Sequence, residues 1–76
     1  MIRFEVELDL TGVPCPQNAS RALIKLESMN FNEMLKIIVD DGEAYQNLVE
    51  SLKDEEYFLI KKIKVGNMWR LYVKRE

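Results

Sequence analysis

The sequence predicts an α+β fold, a two-layer sandwich in which a four-stranded mixed sheet carries two helices on one face. Three observations predict it. Two stretches alternate apolar and polar residues with the period of a strand, two others space their apolar residues with the period of a helix, and they interleave. The chain then ends in two β-rich runs around Gly66 and Asn67, the signature of a hairpin. The resulting order is βαβαββ, and two helices so placed fit on a single side of the sheet. At 76 residues, a split would leave two pieces too small to bury a useful core, so residues 1–76 are expected to form one domain.

The first strand rests on Ile2, Phe4, Val6 and Leu8 alternating with Arg3, Glu5, Glu7 and Asp9. A loop from Thr11 to Pro16 follows, with Gly12, Pro14 and Pro16 restricting the backbone. From Gln17 to about Met29, Ala19, Ala22, Leu23 and Leu26 recur at helical spacing. Asn30 and Asn32 break that helix, and Leu35, Ile37 and Val39 make a second strand. Asp40, Asp41 and Gly42 form a turn whose carboxylates are expected to cap a second helix, with Tyr45, Leu48, Val49 and Leu52 as its apolar stripe.

Parity decides the hairpin. A two-residue loop of Gly66 and Asn67 would pair Val65 with Met68 and set Lys62 and Lys64 on the face of Leu71 and Trp69. A three-residue loop, Gly66 to Met68, pairs Val65 with Trp69 and Ile63 with Leu71, so that both strands bury one apolar face. The longer loop is the expectation. It leaves Lys62, Lys64, Arg70, Tyr72 and Lys74 beside Glu7 and Lys36 on the open face of the sheet, as solvated charges or as a docking surface.

Composition narrows the function. A net charge of −2 argues against direct binding of nucleic acid, which favours a strong basic excess. The chain has no histidine, which removes imidazole-based triads, most zinc and iron sites and the usual neutral-pH general base. The start shows no basic and apolar leader, and no run is long enough to cross a bilayer, so a cytoplasmic protein, monomeric or weakly oligomeric, is expected. Its single cysteine fits a reducing compartment and leaves a free thiol. Asp40, Asp41 and Glu43 lack the spacing of a calcium loop, and no cofactor is implied.

That thiol, Cys15, falls outside both the strand alternation and the helical stripe, so it fills no predicted core position. Pro14 and Pro16 fix φ on either side and bias Val13 and Cys15 toward extended backbone. Pro16 suits a first helical turn, which places Cys15 at or beside the N-cap, where backbone N–H groups and the helix dipole favour a thiolate. Asp9 is placed to accept backbone hydrogen bonds within the loop, and Gly12 to allow close approach of a partner. Arg21 and Lys25, one turn apart on the same helix, offer cations to an acidic partner. A structural cysteine and a redox-sensing one are the alternatives that these residues leave open.

Leu8-Asp9-x-x-Gly12-x-x-Cys15-Pro16, followed by a helix, resembles the signature of the TusA-like (SirA-like) sulfur-carrier family, which continues as Cys-Pro-x-Pro. The likeness covers nearly the whole chain and includes the acidic pair Asp40 and Asp41 after the second strand. The resemblance implies a fold similar to the C-terminal domain of translation initiation factor three and a persulfide on Cys15. It also implies a sulfur donor, a cysteine desulfurase or rhodanese-like protein, and an acceptor in tRNA thiolation, molybdenum-cofactor or dissimilatory sulfur metabolism. Asn18 stands where the family has its second proline, a departure that bears on how the first helical turn is set and which a local hydrogen bond of the amide would offset. The rival reading is a non-catalytic protein- or RNA-binding module using the basic open sheet face.

Overall fold

The computed structural model describes residues 5–14 and 17–75. Their elements are β1 (Glu5–Asp9), α1 (Gln17–Ser28), β2 (Met34–Asp40), α2 (Glu43–Asp54), β3 (Phe58–Val65) and β4 (Met68–Lys74). Element order and type agree with the sequence reading; residues 2–4, assigned above to the first strand, lie outside the described residues.

The sheet order is β1-β2-β4-β3. β1 and β2 run parallel, with Leu8 opposite Ile37, and β4 is antiparallel to both β2 and β3. The sheet is therefore mixed. Alternation along β2 sends Leu35, Ile37 and Val39 to one side, where each is fully buried beside Leu71 and Val73 of β4. Ala19, Ala22 and Leu26 of α1 and Leu48 and Leu52 of α2 close the same core. Both helices thus cover one face. Each fully buried aliphatic side chain contributes about 1.5–3 kcal/mol, and the small Ala19 and Ala22 let α1 lie close to the layer beneath.

The hairpin corrects the expected register. Gly66 and Asn67 form a two-residue connection, with Val65 opposite Met68, Lys64 opposite Trp69 and Lys62 opposite Leu71. Gly66 has a φ of 61° while that of Asn67 is not positive, the sign pattern of a type II′ turn. An apolar inner face survives because the register shifts between Leu59 and Lys61, which makes Ile60 a bulge residue. Before the bulge Leu59 faces Val73, and beyond it parity reverses. Lys62 and Lys64 consequently point to the helix side, where β3, an edge strand, leaves them exposed. The open face of β3 holds Lys61, Ile63 and Val65 instead.

The acidic pair corrects a second expectation. Gly42, with φ 94°, occupies the N-cap of α2, and no side chain caps the helix. Asp40 and Asp41 are committed to other partners, described below. On the open face Lys36 Nζ lies 3.8 Å from Glu7 Oε2, a half-exposed pair that contributes a fraction of a kcal/mol.

Ile37 at the centre of β2 and Ile24 on the outer side of α1, 66% exposed, separate packing from composition. In urea denaturation, Ile37→Ala is expected to cost about 2–5 kcal/mol, and Ile24→Ala to stay within about 0.5 kcal/mol of the parent. Equal losses would contradict the assigned core.

Candidate functional site

The segment that leaves β1 is shaped by three polar anchors. The first is local. Asp9 Oδ1 accepts hydrogen bonds from the Thr11 backbone N–H at 3.0 Å and from the Thr11 hydroxyl at 2.7 Å, closing an Asx-type turn. The Thr11 hydroxyl first, and then its N–H, hold the exposed Asp9 carboxyl below the ordinary carboxylate range. Leu10 meanwhile prolongs the ladder, its N–H donating to the Ile38 carbonyl at 2.7 Å. Its side chain is 1% exposed, which ties the turn to the core.

The second anchor crosses the fold. Gly12 N–H donates to Asp40 Oδ2 at 2.8 Å, joining residues 28 apart in sequence. Gly12 has a φ of 78°, and nothing crowds the position a Cβ would take. Its left-handed backbone, and not a lack of room, is what favours glycine there.

Asn18 is the third anchor. It is the fully buried polar residue of α1, at 0% exposure. Its Nδ2 donates to the Ala44 carbonyl at 3.0 Å, its Oδ1 accepts from Ala19 N–H at 2.7 Å, and its backbone N–H donates to the Pro14 carbonyl at 3.1 Å. The amide therefore joins the start of α1 to the start of α2. Its backbone bond to Pro14 spans Cys15 and Pro16, both of which lie outside the described residues. What is fixed is the chain on either side of the cysteine. On α1, Arg21 is exposed and Lys25 is half-buried.

A further cluster lies at the end of β2. Asp41 Oδ1 accepts the Trp69 indole N–H at 2.8 Å, and Lys64 Nζ stands 3.2 Å from Asp41 Oδ2. The indole, followed by Lys64, holds the Asp41 carboxyl below its ordinary range. Trp69 stacks on Tyr45 with ring centroids 4.2 Å apart and planes 12° from parallel. The sequence reading took Asp41 as a cap and Trp69 as a hairpin residue. The usable signal was a half-buried tryptophan, whose N–H needs an acceptor close by. Among the described residues no group of three or more His, Cys, Asp or Glu side chains could hold a metal ion, and no helix is long and apolar enough to cross a membrane.

Two variants test these anchors. Asn18→Ala leaves the buried Ala19 N–H without its side-chain acceptor and removes the donor to the part-buried Ala44 carbonyl, and a loss of about 1–3 kcal/mol is expected in chemical denaturation; an unchanged midpoint would remove Asn18 from the scaffold. Because the folded Asp9 pKa lies below the unfolded one, its stabilising contribution is present above the unfolded value and is lost as pH falls through the folded one. Thr11→Val deletes the hydroxyl donor. Carboxyl titration by NMR should then show the Asp9 pKa rising toward 3.8, and no rise would break the assignment.

Comparison with known proteins matches this geometry to a family. A family model described as sulfurtransferase TusA matches residues 6–75. A protein of Archaeoglobus fulgidus, provisionally described as a sulfur carrier, is 30% identical over 70 residues, covering 91% of this chain and 80% of its own length. The crystal structure of a SirA-like protein from Desulfitobacterium hafniense superposes with a TM-score of 0.75 at 21% identity, covering 91% of this chain and 95% of that one, and so shares the fold. The chain, with its loop between Asp9 and Asn18 pinned to the ends of β2 and α2, belongs to the TusA sulfurtransferase family.

Proposed function

We propose that this protein carries sulfane sulfur as a persulfide on Cys15 and passes it from a donor protein to an acceptor protein. The supporting observation is the loop itself. Its flanks are held from opposite sides, by Asp40 through Gly12 and by Ala44 through Asn18, in a chain whose family model is a sulfurtransferase. A nucleophile on so short a tether loses little entropy when a partner's sulfur must be met in line.

The exchange balances without an outside oxidant. The Cys15 thiolate attacks the outer sulfur of a donor persulfide, forming one S–S bond as the donor's S–S bond breaks and its thiolate leaves. A thiolate on the acceptor then repeats the step on the outer sulfur held by Cys15. A cysteine desulfurase or rhodanese-like protein supplies the donor chemistry, and tRNA thiolation or other sulfur metabolism supplies the acceptor. Residues 1–76 act as one domain, in the reducing cytosol where a single thiol stays free. Arg21, exposed one turn into α1, offers a cation to an acidic partner surface.

The rival, protein or RNA binding by the open sheet face, drew on Lys62, Lys64, Arg70, Tyr72 and Lys74. The register keeps Arg70, Tyr72 and Lys74 on that face but turns Lys62 and Lys64 to the other, where Lys64 is engaged by Asp41, and the match to a sulfurtransferase family favours the carrier. Incubation with a cysteine desulfurase and cysteine, followed by intact mass measurement, tests the proposal. Gain of one sulfur atom, reversed by reductant and absent in Cys15→Ser, is expected. An unmodified parent chain, or the same gain in Cys15→Ser, would overturn it.

A further inference from the structure

We propose that the outer edge of β3 accepts an extended, acidic segment of a partner polypeptide as a fifth strand. β3 lies at the end of the sheet order, and among the described residues its one strand partner is β4. Along this eight-residue strand the backbone N–H and C=O groups of alternate residues, those not bonded to β4, therefore face outward without a ladder.

Two features of this strand choose the occupant. The first is charge. Lys61 and Lys62 are exposed and form no ion pair among the described residues, in a chain whose net charge is −2. Lysines on an edge commonly serve only to repel other strands. The second feature separates the two uses. Of the six exposed large hydrophobic residues among those described, four belong to this hairpin: Phe58, Ile60, Val65 and Met68, at 64%, 43%, 48% and 39% exposure. A strand built solely to be avoided would not gather apolar surface beside its lysines. An extended segment alternating carboxylates with aliphatic side chains satisfies all three demands, since its main chain pairs the edge, its acids on the helix side meet Lys62 and its apolar groups on the open face cover Phe58 and Val65 around Lys61.

Pairing of β3 with the β3 of a second copy would set lysine rows against each other and is disfavoured. The location also suits a carrier. β3 and β1 stand at opposite edges of the sheet, so a protein can hold this chain by β3 while the segment leaving β1 remains free to meet another. The inference does not rest on sulfur carriage and is tested with both the parent chain and Cys15→Ser.

The probe is a capped synthetic peptide as long as β3, alternating Glu and Val, mixed with the full chain and followed by hydrogen–deuterium exchange and by titration. The expected result is slowed exchange at the β3 amides that face away from β4. Binding should weaken on the order of tenfold in the Lys61→Glu/Lys62→Glu variant and at about 1 M salt, where screening shortens to ~3 Å. A peptide with the same charges but every amide N-methylated should bind at least about tenfold more weakly, because neither edge of its main chain can then donate to β3. Equal binding of the methylated peptide would reduce the effect to charge alone and overturn the proposal. So would absence of β3 protection, stronger protection of the same amides by an RNA oligonucleotide, or peptide-free assemblies in which the acidic β1 of another copy takes the edge.

Discussion

β1 and β2 run side by side in the same direction, and that single relation dictates where the candidate segment lies. Parallel neighbours cannot be joined by a tight turn, so the chain must leave the sheet at Asp9, cross over as α1 and return to begin β2. The connection out of β1 consequently starts at the same end of the sheet where β2 later finishes. Asp40, the last residue of β2, is thereby placed to accept the Gly12 N–H at 2.8 Å. The site is a product of topology first and of side chains second.

Side chains then remove the freedom that topology leaves. Asp9 folds the turn through Thr11, Asp40 holds its middle, and the buried amide of Asn18 ties the entry of α1 to Ala44 at the entry of α2. A buried amide with both ends bonded adds direction to packing that would otherwise be only apolar. Asn18 also restrains the turn that the resemblance led one to expect a proline to set. Where proline would stiffen it by fixing φ, the asparagine holds it with three hydrogen bonds, one of them to Pro14.

The periodic parts of this fold were legible in the sequence because burial itself is periodic. Leu35, Ile37 and Val39 announced β2, and Ala19, Ala22 and Leu26 announced α1, through the same side chains that form the core. Register in the hairpin was not legible. Parity counting assumes an uninterrupted ladder, and Ile60, a β-branched residue with no mark of irregularity, bulges out of it. Asp40 and Asp41 misled for a different reason: short carboxylates before a helix have capping as their commonest use, whereas here long-range donors, Gly12 and the Trp69 indole, claim them. Within the candidate site, Asp9 and Gly12 could be singled out from local turn chemistry. Full burial of Asn18 could not, since its partner Ala44 lies 26 residues away.

The central claim is that the scaffold around residues 9–18 presents Cys15 as an accessible thiolate. The most direct measurement is the rate of alkylation of the native chain as a function of pH, compared with Asp40→Asn, which weakens the acceptor for Gly12. A single titration with an apparent pKa below the free-cysteine value of about 8.5, shifted upward or slowed in Asp40→Asn, is the predicted result. A thiol that reacts only as fast as the chain unfolds would contradict it.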